Sequence, residues 1–172
     1  KLDAKCTIPD KGITVVFGPS GSGKTNLLRA IEGQEQGDTG FLKVGDSIWQ
    51  SDHNFVPTHK RQIGYVFQDA ALFDHLNVEG NLDYVIKRKT GLTEDFIDSI
   101  YTLLDIKPLI NRSTVQLSGG EKQRIAIARA LLTNPKILLL MSPYQLLILS
   151  VKMKFCPILI VFIVNSRFQF FM

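Results

Sequence analysis

The feature that most constrains the fold of this chain is a glycine-rich loop between a short apolar run and a helical segment. The run 12–17 is apolar and β-branched, which predicts a buried strand of a parallel sheet. The loop 18–25 follows and fits the pattern G-x-x-x-x-G-K-[S/T]. Residues 24–31 then carry apolar side chains at helical spacing, and Gly33 is a stop signal. This order predicts that an α/β layer begins here.

The remaining pattern alternates between strands and helices. Strands are predicted within 40–50, at 63–67 and at 137–140, and helices at 78–88, 93–104 and 119–132. Thr93 and Ser118 are good N-caps for the last two helices. Strands that alternate with helices favour a parallel sheet of α/β type.

Composition bounds the class of protein. The chain has 172 residues, of which 45% are hydrophobic and 21% charged, so we expect about one domain with a packed core rather than disorder. Two cysteines, Cys6 and Cys156, cannot form a disulfide framework, so a reducing compartment is the default. No signal-peptide pattern follows Lys1, and the absence of an initial Met leads us to expect a missing start.

The net charge of +4 gives little support to nucleic-acid binding. Residues 1–140 contain 17 of the 20 basic residues and all 16 acidic ones, and they form no basic stripe. The excess lies after residue 140, where a run of 10 uncharged and nearly all apolar residues spans 155–164. A membrane-spanning helix needs about 20 such residues, so we interpret the run as an accidental, β-prone stretch.

The loop has the chemistry of a P-loop phosphate site. Its glycines let backbone amides approach phosphate oxygens, and the helix that follows points its positive end at the same place. Lys24 is expected to reach the β- and γ-phosphates and the Thr25 hydroxyl to coordinate Mg²⁺. The alternative is a glycine-rich turn with a surface lysine. The remaining predicted contacts come from Gly18, Pro19, Ser20, Gly21, Ser22 and Gly23.

A second motif, Leu117-Ser118-Gly119-Gly120-Glu121, opens the helix predicted at 119–132. Taken alone, it is a capped amphipathic helix whose free amides could face an anion. After a P-loop, the motif closely resembles the signature of the ATP-binding subunits of ABC transporters, over about residues 12–140. Glu121 stands where that family often has Gln. The stretch 63–82 is similar to molybdate-import ATPases in particular.

The resemblance implies a P-loop NTPase fold of the ABC type, incomplete at both ends. It implies a partial nucleotide-binding domain over 1–140, with a helical subdomain at about 70–120. Gln68 resembles the family's Q-loop glutamine, which touches Mg²⁺ and the attacking water, so with Lys24 it is the candidate catalytic residue. Both Thr25 and Gln68 are candidate metal ligands. The partner's γ-phosphate is expected to contact Leu117, Ser118, Gly119, Gly120, Glu121 and Gln123.

The resemblance also implies cofactors and partners. ATP and Mg²⁺ are the expected cofactors, and two such subunits would sandwich two ATP molecules. Closure would pull on an integral-membrane permease, which places the chain in the cytoplasm on the inner face of the cell membrane. The implied function is uptake of molybdate or a similar oxyanion, with no nucleic-acid partner. An ABC-type ATPase of DNA repair or chromosome maintenance is a rival, but only 91 residues separate Thr25 from Leu117, with no sustained heptads.

The chain departs from the family after 137–140. The family has Asp-Glu-Pro there, and this chain has Met141, Ser142 and Pro143. Neither Met nor Ser can act as a general base near neutral pH, so hydrolysis is expected to be impaired. The family's switch histidine is also missing. The three histidines, His53, His59 and His75, precede the signature, have no metal-ligand spacing, and are interpreted as surface residues.

A shifted reading frame is one explanation of this departure, and divergence is the other. The family text Asp-Glu-Pro-Leu-Ser-Ala-Leu-Asp can be encoded GAT GAG CCC CTA TCA GCT CTT GAT. Dropping the first G gives ATG AGC CCC TAT CAG CTC TTG AT, which reads Met-Ser-Pro-Tyr-Gln-Leu-Leu-Ile, the text of residues 141–148. The hypothesis is that 141–172 is an out-of-frame tail. The chain would then be a non-functional remnant, unless the shift is a sequencing error.

Overall fold

The computed structural model describes residues 5–9, 12–19, 21–35, 40–67, 69–141 and 159–165, and it is built around two sheets. The strands are β1 (Gly12–Gly18), β2 (Leu42–Val44), β3 (Ser47–Ser51), β4 (Asn54–Phe55), β5 (Ile63–Val66), β6 (Ile137–Leu140) and β7 (Leu159–Asn165). The helices are α1 (Lys24–Glu32), α2 (Val78–Ile86), α3 (Glu94–Leu103) and α4 (Gly119–Leu131). Short 3-10 turns lie at Thr58–Lys60, Lys107–Leu109 and Thr114–Gln116.

The larger sheet has the order β1-β7-β6-β5, and all its strands are parallel. All four residues of β6 are buried, as expected for a strand covered on both faces. Its alternate residues belong to different cores: Leu138 and Leu140 pack with the larger cluster, and Ile137 and Leu139 with the smaller one. The carboxyl ends of β1, β5 and β6 therefore meet at one edge of the sheet.

Helix α1 covers one face of this sheet. It begins after Gly23, whose φ is +85°, and ends at Gly33, whose φ is +87°. Both values lie in the left-handed region that glycine adopts without a steric penalty. Leu28 is fully buried and packs in the smaller cluster with Leu139 and with Trp49 of the β2-β3-β4 sheet. This packing fixes the direction of the helix relative to the sheet.

The other face is covered by α4, with α2 and α3 beyond it. Ile125, Ile127 and Leu131 of α4 are buried in the larger cluster. Side-chain caps begin all three helices: Asn77 accepts from Gly80 N, Thr93 from Phe96 N, and Ser118 from Glu121 N. These caps satisfy amides that a helix leaves unpaired at its start.

The predicted elements are confirmed within a residue or two at their ends, with two differences. The β excursion at 40–50 is a three-stranded antiparallel sheet that runs on to Phe55. The apolar stretch at 155–164, interpreted as accidental, supplies all but the last residue of β7, which lies between β1 and β6. Periodicity could not predict this strand, because a continuous apolar run carries no information on its partners. The rest of the proposed tail, except Met141, lies outside the described residues.

Candidate phosphate-binding site

The loop after β1 is folded back on itself and opens α1. Gly21 has a φ of +84°, and a Cβ built there would meet no atom within 4 Å. Glycine is therefore favoured here by the left-handed backbone and not by a lack of room for a side chain. Ser22 N donates to Pro19 O at 3.3 Å, which closes the turn. The two left-handed glycines, Gly21 and Gly23, turn the chain so that the loop leads into the first turn of α1. Free amides at the start of a helix form a ready anion site.

The Lys24 side chain is enclosed by this loop. The residue is only 7% exposed. Its Nζ donates to Gly18 O at 2.8 Å, to Pro19 O at 2.6 Å and to Ser22 Oγ at 3.2 Å. Within the described part of the chain, no carboxylate pairs with this ammonium group. A buried cation without a counter-ion, beside the positive end of a helix, suits a bound polyphosphate.

Thr25 follows Lys24 in the first turn of α1 and is half-buried. Its hydroxyl is a hard oxygen donor of the kind that Mg²⁺ accepts, together with nucleotide phosphates and water. Ser20 and Gln68, the other predicted contacts in this region, lie outside the described residues. Among the described residues, the loop fits a polyphosphate well, and Thr25 would supply an oxygen for Mg²⁺.

Met141 lies at the carboxyl end of β6, where the family resemblance implied an aspartate. Its Sδ accepts a hydrogen bond from the Tyr65 hydroxyl, and the residue is half-buried on the α1 side of the sheet. Burial, and then the nearby carboxylate of Glu32, raises the pKa of Tyr65 to about 12, so this hydroxyl stays a donor. A thioether is a poor ligand for Mg²⁺, which selects oxygen. The carboxyl end of β6 therefore carries no carboxylate at position 141 to hold Mg²⁺.

The start of α4 is a complete capping box. The Ser118 amide and hydroxyl both donate to Glu121 Oε2 at 2.7 Å, and Glu121 N donates to Ser118 Oγ at 3.3 Å. These hydrogen bonds lower the pKa of Glu121, and Arg112 at 3.5 Å adds to the effect. The carboxylate that replaces the family's usual Gln is thus held against the cap.

The predicted signature contacts differ in how open they are. Gly119 and Gly120 are exposed, with no atom within 4 Å of a built Cβ. Gln123 is half-buried on the next turn. Leu117 is 6% exposed and packs in the larger core cluster, so its side chain is directed away from any ligand at this end of the helix. The open part of the predicted set is therefore Gly119 and Gly120, while Ser118 is exposed but bonded to Glu121 in the capping box.

Sequence reasoning missed Tyr65 and Arg129. Tyr65 is the next-to-last residue of β5, and its contact with Met141 depends on the β5-β6 register, in which it lies opposite Leu139. Arg129 reads as an ordinary exposed cation on α4, but it donates to Ala71 O at 2.7 Å, 58 residues away. Neither contact can be found without knowing how distant segments of the chain pack together. The predicted surface histidines, His53, His59 and His75, are exposed.

A parallel sheet, a glycine loop that opens α1 and a capped α4 together define the class of ABC ATP-binding cassettes. The model of the ABC transporter family matches residues 2–145, and the chain belongs to that family. Within the family it is similar to proteins named molybdenum import ATP-binding protein ModC. The one from Methylococcus capsulatus is 47% identical over 159 residues, which are 92% of this chain and 45% of the relative. The one from Thiobacillus denitrificans is 47% identical, covering 92% and 44%.

The curated relatives are longer than this chain. A ModC protein from Saccharophagus degradans is 50% identical over 83% of this chain but only 40% of its own length. The chain thus spans less than half of the curated relatives it matches. The predicted resemblance to molybdate-import ATPases is confirmed.

Solved structures confirm the fold class. An ATP-binding cassette solved as a dimer in a post-hydrolysis state, bound to ADP and Pi, superimposes with a TM-score of 0.69 at 24% identity and covers 91% of this chain and 75% of its own. The cbiO1 protein of Clostridium perfringens, part of the ABC transporter complex cbiONQ, gives 0.67 at 24% identity, covering 91% and 68%. In the part of the chain that the structure describes, no helix has the length and apolar character needed to cross a bilayer.

Proposed function

We propose that this chain is the ATP-binding subunit of an ABC importer for molybdate or a similar oxyanion, and that its own hydrolysis of ATP is impaired. The observation that carries the proposal is the Lys24 ammonium, which is buried in the loop and, among the described residues, donates its hydrogen bonds to loop oxygens. Loop carbonyls satisfy its hydrogen bonds but leave its charge uncompensated. A nucleotide phosphate supplies that charge.

The loop residues have separable roles in this proposal. The amides from Gly21 to Thr25 hold phosphate oxygens, because Gly21 and Gly23 turn the loop and carry no Cβ that would block the approach. Lys24 neutralises the β- and γ-phosphates, and the Thr25 hydroxyl and Gln68 hold Mg²⁺. When bound, Mg²⁺ would neutralise charge on the phosphates. The open N-terminus of α4 at Ser118 to Gly120 meets the γ-phosphate held by a second copy of the chain.

Impaired hydrolysis follows from Met141 and Ser142. The family resemblance assigns these positions to a carboxylate that holds Mg²⁺ and to one that polarises the attacking water. A thioether and a hydroxyl do neither at neutral pH. Loss of a general base commonly lowers a rate by about 10²–10⁴. Binding without rapid turnover is therefore the expected state of this chain.

The partners follow from the same proposal. The chain pairs with a second copy of itself to enclose two ATP molecules and docks on an integral-membrane permease, at the inner face of the cell membrane. The similarity to proteins named for molybdenum import supports the substrate class. The near-neutral charge of 1–140 gives no support to a nucleic-acid partner.

Calorimetric titration with ATP tests the proposal. We expect the unaltered chain to bind ATP, and Lys24→Ala to weaken that binding at least tenfold, because it removes the buried cation. Lys43→Ala, at an exposed position on β2, is the matched control and should bind as the unaltered chain does. Equal affinity in all three chains would refute the assignment of the loop.

A non-functional remnant is the second candidate, and the replacement of the family's Asp-Glu by Met141 and Ser142 is the observation that favours it. Reading the DNA across codons 138–145 tests its origin. Asp-Glu codons one base out of phase support a frameshift, and their absence supports divergence. Failure of the chain to bind ATP, combined with loss of cooperative unfolding, would favour the remnant over the importer subunit.

A further inference from the structure

Arg129 of α4 contacts the segment 69–77, which directly follows Gln68 in the chain. Its Nη2 donates to Ala71 O at 2.7 Å, and its Nη1 donates to Asn81 Oδ1 at 3.5 Å. The guanidinium also lies over the Phe73 ring, 5.0 Å from the centroid. Burial lowers the pKa of Arg129, the direction expected for a guanidinium withdrawn from water. One side chain thus holds the segment at two points and contacts α2 as well.

The segment has a backbone that needs such support. Ala71 has a φ of +46°, a left-handed conformation that costs a non-glycine residue roughly 1–2 kcal/mol. The carbonyl that Arg129 binds belongs to this residue. Phe73 N donates to Asn81 Oδ1 at 2.8 Å, and Asn81 Nδ2 donates back to Phe73 O at 3.1 Å. Asn81 is fully buried, so Arg129 completes a closed set of hydrogen bonds around the segment.

Position along α4 gives this contact a consequence. Arg129 lies in the last turn of the helix that begins after Ser118, which places it about 16 Å along the axis from the signature end, at about 1.5 Å per residue. A helix of this length transmits displacement as a rigid rod. Movement of the Ser118 end would therefore reach Ala71 and Phe73 through this guanidinium, alongside the packing of Ala70 and Leu72 against the larger core cluster.

We propose that Arg129 is a positioning residue, which fastens the segment after Gln68 to the helix that carries the signature. For its consequence in nucleotide binding, this inference rests on the proposed function. Its first measurement requires no nucleotide. Arg129 acts through the segment and touches no proposed ligand, so its loss should leave the Lys24 loop intact.

Hydrogen exchange of the full chain is the first measurement. Arg129→Met should speed exchange of the amides in 71–77 by about tenfold or more, as expected for loss of a hydrogen bond from a charged group. Amides of β5, β6 and α1 should exchange as before. Lys87→Met is the matched control, because Lys87 is an exposed cation at the end of α2 that pairs with Asp83 at 2.6 Å, outside the segment. Exchange that rises equally everywhere, or that is unchanged in 71–77, would overturn the proposal.

The affinity for ATP with and without Mg²⁺ is the second measurement. We expect Arg129→Met to bind ATP in EDTA within about twofold of the unaltered chain, and to lose most of the extra affinity that Mg²⁺ confers through Gln68. Weakened binding in EDTA would mean that the loop itself is damaged, which contradicts a local role. If the unaltered chain fails to bind ATP, the proposed function fails, while the exchange measurement still decides the role of Arg129.

Discussion

At the scale of single residues, two buried charged side chains differ in how fully their polar atoms are satisfied. Lys24 is satisfied by loop oxygens, whereas Glu32, at the end of α1, is 7% exposed and has no hydrogen-bond partner for Oε2 among the described residues. Burial raises the pKa of Glu32, and a hydrogen bond from Gln34 and the charge of Arg29 only partly oppose this. The negative end of α1 lies at the same place, which also disfavours a carboxylate.

We predict that Glu32→Gln stabilises the chain at pH 7 by on the order of 1 kcal/mol. The folded state binds the Glu32 proton more tightly than the unfolded state does. The free energy of unfolding therefore falls as pH rises from the pKa of Glu32 in the unfolded state to its higher pKa in the folded state. It stays at the lower value at higher pH. The gain should shrink towards pH 4, where the carboxyl is already protonated in the fold.

Urea unfolding at the two pH values measures this effect of Glu32. Glu35→Gln is the control, because Glu35 is exposed and pairs only with Arg29 at 3.5 Å. An equal gain for both variants, or a gain for Glu32→Gln that grows at low pH, would contradict the sign of the pKa shift.

At the scale of elements, local signals in the sequence were sufficient to predict the ends of helices wherever a glycine or an N-cap residue marks them. Gly23 and Gly33 bound α1, and Thr93 and Ser118 cap α3 and α4, as the sequence predicted. The contacts between elements were not predictable. The Arg61 guanidinium donates to Ala30 O and Ile31 O at the end of α1 and lies 5.5 Å from the Trp49 ring centroid, so it joins the helix to the small sheet. No periodicity encodes such a contact, since it depends on the packing of distant segments.

The end of α1 yields a prediction that tests this joint. A Cβ at Gly33 would lie 2.6 Å from Arg61 Cζ, in addition to the strain of a φ of +87°. Gly91 has a φ of +81°, with nothing within 4 Å of a built Cβ. We expect Gly91→Ala to cost about 1–2 kcal/mol, the strain alone, and Gly33→Ala to cost at least about 1 kcal/mol more.

Chemical denaturation of both glycine variants gives the comparison. Equal losses would show that Arg61 moves aside without penalty and does not fasten the helix. A further variant, Gly33→Ala combined with Arg61→Ala, should lose the excess penalty of Gly33→Ala, because the clashing group is gone.

At the scale of the whole molecule, the parallel sheet gathers at one edge the loop, the end of β5 and the end of β6. The sequence predicted a parallel sheet from the βα alternation, and parallel strands end together at one edge. It could not predict that β7 lies between β1 and β6, nor that Tyr65 fills the space beside Met141. Both depend on strand order, which local pattern leaves open.

The convergence predicts that the metal site can be rebuilt by one substitution. Met141→Asp should raise the affinity gained on adding Mg²⁺ to ATP at least tenfold, because it places a carboxylate at the end of β6. Without Mg²⁺ the added negative charge should weaken ATP binding. Calorimetry in Mg²⁺ and in EDTA distinguishes the two effects, with Tyr65→Phe as a control that alters the neighbour but adds no charge. If Met141→Asp and the unaltered chain gain the same ATP affinity on adding Mg²⁺, β6 does not end at the phosphate site.

The most direct test of the central claim is amide NMR of the full chain titrated with tripolyphosphate, which offers the phosphates of ATP without its base. We expect the largest shifts to fall on the amides from Gly21 to Thr25. Lys24→Ala should abolish them, and adenosine should leave them unchanged. Shifts that fall elsewhere, or that persist in Lys24→Ala, would contradict a phosphate site built on this loop.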